Sequence, residues 1–152
     1  MPSFSPRRSP PHARPEWVDE GDPLFLTFAC ATRGTDQLAN RETWEALMAA
    51  NQILSELGKW QPLVILVMPD HVHAMARVPR AHSAAKVVGA LKRSITRVSG
   101  VDWQRGFFDH RPRTHDARQA CRDYILMNPV RKGLCATPEE WPYRWIKPAG
   151  NG

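Results

Sequence analysis

The chain has 152 residues, enough for one domain around one core, and 42% of them are apolar. Its 21 Lys and Arg outnumber 15 Asp and Glu, with an isoelectric point near 9.7; this favours polyanionic partners such as nucleic acid and leaves the fold open. No run approaches the roughly 18 apolar residues of a membrane span, so no membrane partner is expected. The cysteines, Cys30, Cys121 and Cys135, are odd in number and form no C-x-x-C. Neither a disulfide framework nor a zinc ribbon is indicated, and a reducing cytoplasm is expected.

Residues 1–16, "MPSFSPRRSPPHARPE", are rich in Pro, Ser and Arg. They lack the apolar residues that offset ordering entropy and read as a disordered basic tail. Prolines rather than an apolar run follow the paired arginines, so no secretion signal is expected. Residues 17–147 read as a single domain, and 148–152 as a short C-terminal tail.

"LFLTFAC", 24–30, reads as a strand. A helix is predicted from about Asn40, a suitable N-cap, to Leu57, with Gly58 at its end. Its core face is expected to be Trp44, Leu47, Met48, Leu54 and Leu57. "LVILVM", 63–68, is apolar throughout, as in a central strand covered on both faces. Pro69-Asp70 supplies a turn, and residues 71–78 then alternate, with His71, His73, Met75 and Arg77 on one face.

A second helix is predicted over about 83–98, with Ala84, Val87, Val88, Leu91, Ile95 and Val98 buried. Lys86, Arg93 and Arg97 fall on another line, facing outward. "GFFDHRPR", 106–113, reads as an edge strand because of Pro112. A third helix is predicted over about 115–127, capped by Thr114 and ended by Pro129. The aromatic, Pro-rich C-terminal stretch is expected to pack as loops. The order β-α-β-β-α-β-α predicts an α+β, ferredoxin-like fold: an antiparallel sheet with helices packed on it.

His71 and His73 are i and i+2 on a strand, so they share a face with Cα atoms about 6.6 Å apart. Two imidazoles so placed can converge on one metal ion; the same spacing also suits two half-exposed strand histidines. In "RDYILMNPVRKGL", 122–134, Tyr124 and Asn128 are four apart and stack on one helix face. Tyr124 is also in line with Ala117, Ala120 and Cys121, as a core tyrosine would be. Taken together, the motifs offer a nucleophile and a Lewis acid. A phenol has a reference pKa near 10 and needs its target phosphate polarised and held in line. Lys86, Lys92, Arg93, Arg97, Arg105, Arg111 and Arg113 are candidates to hold a nucleic-acid backbone.

"MPDHVH" resembles the H-hydrophobic-H motif of single-tyrosine HUH transposases. "WQRGFFDH", 103–110, and "YILMNPVRKGL", 124–134, followed by "WPY", resemble the REP-associated tyrosine transposases in particular. The resemblance covers roughly residues 23–145. It implies an HUH endonuclease fold in the bacterial cytoplasm, and a metal-dependent endonuclease and strand transferase acting on single-stranded or hairpin DNA. Tyr124 would form a 5′-phosphotyrosine link. His71, His73 and Asn128 would hold Mg²⁺ or Mn²⁺; by ligand softness two imidazoles suit Mn²⁺ or Zn²⁺ better than Mg²⁺. Homodimer and monomer both occur among such proteins. The family pattern has a tyrosine in the aromatic pair of the "DH" strand, where this chain has Phe108. Pro129 is expected to bias Asn128 away from helical angles. Two other readings stay open: a non-cleaving hairpin DNA- or RNA-binding protein on the same fold, and a metallohydrolase of another kind.

Overall fold

A computed structural model describes residues 21–149, and the tail assigned to residues 1–16 lies outside them. Five strands, β1 (Leu24–Ala29), β2 (Gln61–Val67), β3 (His71–Arg77), β4 (Phe108–His110) and β5 (Arg144–Ile146), form one sheet in the order β4-β1-β3-β2-β5. Every pairing is antiparallel. The helices are α1 (Arg41–Glu56), α2 (Ala84–Ser99) and α3 (His115–Arg131), with a short 3₁₀ turn at Pro138–Glu140. This is the expected α+β fold with one strand added at the β2 edge. The C-terminal stretch is therefore not all loop. Ile146 and Trp145 pair with Val64 and Ile65, so the exposed backbone of β2 gains a ladder partner.

Strand alternation gives the sheet two buried faces. Leu24, Leu26, Phe28, Ile65, Val67, Val72, Ala74 and Ala76 form one, packed with Leu47 and Leu54 of α1 and Val87, Val88, Leu91 and Ile95 of α2. Phe25, Val64, Leu66 and Met75 form the other, packed with Ile125 of α3 and Trp141. Two residues depart from the predicted helix faces: Leu57 and Val98 are exposed rather than buried. Leu57 is the C-cap of α1, and Val98 stands in the last turn of α2.

The helix starts follow from their caps. The side chains of Asn40, Ser83 and Thr114 accept from the third backbone N–H beyond them. The end of α3 differs from expectation. Pro129 lies inside the helix, which continues to Arg131. The proline deprives the Ile125 carbonyl of its usual N–H partner, but it does not stop the helix. The stop comes at Gly133, with φ +74°, where Gly133 N–H donates to Val130 O and Leu134 N–H to Pro129 O. That double closure needs a left-handed residue, which glycine adopts without strain. Asn128 consequently keeps helical geometry, and the i, i+4 relation with Tyr124 holds.

Candidate active site

The β2–β3 hairpin turns at Pro69-Asp70, closed by Met68 N–H donating to His71 O. The loop after β1 folds over this turn. Cys30 N–H donates to Asp70 O, and the N–H groups of Gln37 and Leu38 donate to Pro69 O. Asp70 is thus more than a turn residue. Its Oδ2 accepts from Arg33 Nε at 2.9 Å and Gly34 N at 2.8 Å, and its Oδ1 accepts from His71 Nδ1 at 2.7 Å. Burial would raise the Asp70 carboxyl, but the hydrogen bonds from His71, Arg33 and Gly34 outweigh it and hold the group well below the usual carboxylate range.

His73 is opposite Thr27 in the β1–β3 register and is almost completely buried. Its Nδ1 lies 2.8 Å from Thr27 Oγ1, and its Nε2 lies 2.6 Å from Asn128 Nδ2. With Asn128 donating, Nε2 is the acceptor and Nδ1–H donates to the threonine. Burial first, then the neighbouring charges of His71, Arg131 and Arg33, push His73 well below the ordinary histidine range, so the ring is neutral. The two imidazoles stand edge to face, 4.7 Å between centroids. Each directs Nδ1 to an oxygen partner, Asp70 Oδ1 for His71 and Thr27 Oγ1 for His73, while Nε2 of His73 takes the bond from Asn128.

Tyr124 comes from α3 onto the same face. Its ring is 5.9 Å from the His73 centroid and 6.0 Å from Phe25. Burial raises its phenol, opposed by the charge of Arg131 and a hydrogen bond to it. The Arg131 guanidinium lies 4.2 Å from the ring centroid, and its Nη2 donates to the Tyr124 carbonyl. Phe108 of β4 packs edge-on against Phe25 at 6.2 Å.

The fold thus brings His71, His73, Tyr124 and Asn128 together, from a hairpin and a helix remote in sequence. The seven basic candidates are not all there. Lys86, Arg93 and Arg97 are exposed on α2, which packs on the opposite face of the sheet. Arg105 and Arg113 are exposed in the segments flanking β4, and Arg111 is half-buried. Lys92 is half-buried and differs in kind. Its Nζ donates to Gln104 O at 3.1 Å and Gly106 O at 2.7 Å, and burial lowers its pKa. It ties α2 to the loop before β4. Sequence reading missed Thr27, Asp70, Arg33 and Arg131. The first looks like any strand threonine and the second like turn chemistry; only the register and the loop crossing reveal their partners.

No protein-family model matches the chain. A protein of Haemophilus influenzae, provisionally named a REP-associated tyrosine transposase, is 28% identical over 102 residues, covering 55% of this chain and 57% of the relative. The REP-associated tyrosine transposase of Escherichia coli is 29% identical over 92 residues, covering 58% and 52%. Over just over half of its length the chain is similar to REP-associated tyrosine transposases. It spans about half the length of the curated relatives it matches. The solved structure of a REP-associated tyrosine transposase bound to a REP hairpin shares the fold, with a TM-score of 0.72, 21% identity, and coverage of 88% of this chain and 81% of that one. A Deinococcus radiodurans protein provisionally named a transposase aligns at 0.51 and 18% identity, covering 75% and 95%. Among the described residues no helix is long and apolar enough to cross a membrane.

Proposed function

We propose that this chain is a metal-dependent endonuclease and strand transferase for single-stranded DNA beside hairpins, with Tyr124 as nucleophile. The observation that carries the reading is the placement of Tyr124 against His73, with Asn128 one turn further along α3 and hydrogen-bonded to the same imidazole. Binding of a REP hairpin by a protein of the same fold adds support for the substrate class.

The candidate metal set is His71, His73 and Asn128, whose side chains lie together: the imidazole centroids are 4.7 Å apart and Asn128 Nδ2 is 2.6 Å from His73 Nε2. These residues fit a divalent ion. Both histidines direct Nδ1 to an oxygen partner, the arrangement that fixes the tautomer of metal-bound imidazoles, and the Asn128 amide can turn to present Oδ1. When bound, the ion would supply Lewis-acid polarisation of the phosphate. His73 is held neutral, and its Nε2, which here accepts from Asn128, would face the ion once that amide turns.

In the proposed step, the Tyr124 oxygen displaces the 3′ oxygen of the preceding nucleotide. One P–O bond forms and one breaks; the phenol loses its proton and the leaving oxygen takes one up as a 3′-OH. The product is a 5′-phosphotyrosine that a second 3′-OH can reverse onto a new strand. Phe25 and His73 restrict the ring, so that little orientation remains to be lost on attack. Incubation with end-labelled hairpin DNA and Mn²⁺, followed by denaturing electrophoresis, tests the reading. A covalent adduct that chelator prevents is expected; binding without any adduct would make this a hairpin-binding protein instead.

A further inference from the structure

Arg131 lies two turns beyond Tyr124 on α3, and its side chain runs back toward the helix start, as helical side chains do. Its guanidinium packs on the phenol ring at 4.2 Å; of its five N–H groups one goes to the Tyr124 carbonyl and another engages the phenol side chain. The residue is otherwise exposed, and among the described residues no carboxylate pairs with it. A cation is thus fastened to the candidate nucleophile, with donors left for a ligand that approaches the phenol.

A helix C-terminus favours a cation, and that alone would suit lysine equally well. The stacking does not: a planar fork over an aromatic face is an arginine arrangement, and it matches two phosphate oxygens at once. From this geometry we infer that Arg131 binds the non-bridging oxygens of the phosphodiester that Tyr124 attacks. By stacking it also holds the ring in line with that phosphorus. The inference rests on the nucleophile reading above.

The test is a double-mutant cycle between protein and DNA. The full chain, Arg131→Met and Arg131→Lys are each bound, with chelator present, to hairpins carrying single-stranded flanks. Each flank phosphate in turn is replaced by a neutral methylphosphonate. Arg131→Met should lose about tenfold in affinity for unmodified DNA, the weight of one charge-assisted hydrogen bond. It should lose nothing more when one particular phosphate is neutralised, whereas the other positions should be additive. Arg131→Lys should recover part of the affinity but not the rate of adduct formation. Unchanged thermal midpoints show that both variants fold. The coupled phosphate should be the one at which the wild-type adduct forms. Absence of coupling, or coupling at a different phosphate, overturns the inference. Coupling in a protein that never forms an adduct upholds the phosphate contact and overturns the nucleophile reading.

Discussion

Asn128 Nδ2 and His73 Nε2 meet at 2.6 Å across 55 residues of sequence. One bond joins the α3 layer to the central strand of the sheet, so the proposed metal site is also part of the fold's buried polar structure. Removing either partner leaves the other buried without its bond, which costs about 1–3 kcal/mol. His73→Ala and Asn128→Ala should both lower stability in urea by that order. His71→Ala should lower it less, because Asp70 keeps its bonds to Arg33 and Gly34. Equal and negligible losses in all three would mean that the network does not hold α3.

The pH dependence of stability follows from the same burial. His73 is held neutral, with its pKa well below the ordinary value. The unfolded chain therefore takes up a proton near pH 6.5 that the folded chain refuses. Stability is full above that pH and falls as the pH drops below it, toward the folded value. Asp70 acts in a lower window. Its depressed carboxyl contributes fully above about pH 4, and that contribution is lost as the pH falls further. Thermal midpoints from pH 8 to 3 should show the first decline, and His73→Gln should flatten it. A wild-type midpoint constant from pH 7 to 5 would contradict this.

Asp70 fixes the His71 tautomer through Nδ1, so it should act on the metal without touching it. Asp70→Ala should weaken Mn²⁺ binding by calorimetry roughly 10–100-fold, the usual effect of losing an outer partner of a ligating histidine. Unaltered Mn²⁺ affinity in a folded variant would sever that link.

The basic residues should divide into two groups. Lys92→Met should destabilise the domain, because two carbonyls in the loop before β4 lose their donor. Arg93→Ala with Arg97→Ala should leave stability nearly unchanged, since both are exposed. If the α2 face carries a hairpin stem, the double variant should flatten the salt dependence of binding by about two units, one per lost phosphate contact. An unchanged slope would confine DNA to the α3 face.

Much of this was legible in the sequence because the signals were local. Caps at Asn40 and Thr114, alternation at 71–77 and the β-α-β-β-α-β order all follow from neighbouring residues. The i, i+2 and i, i+4 spacings likewise put the two histidines, and Tyr124 with Asn128, on common faces. What failed was non-local. Pro129 looked like a stop, but packing of Ile125 and the closure at Gly133 carry the helix past it. β5 lacks a strong strand pattern and exists because β2 offers it an edge. Lys92 looked like its exposed neighbours on α2, and only the folded loop at Gln104 and Gly106 shows what it holds.

The nucleophile assignment can be read directly by mass. Tyr124 and Tyr143 are the two tyrosines of the chain, and Tyr143 packs between Trp44 and Trp141. After reaction with hairpin DNA, nuclease trimming and tryptic digestion should leave a nucleotide mass on the peptide containing Tyr124. Tyr124→Phe should abolish it while hairpin binding stays within about twofold, since the change removes one hydroxyl from a half-buried ring and keeps the ring itself. A nucleotide on Tyr143, or an adduct that persists in Tyr124→Phe, would contradict the assignment.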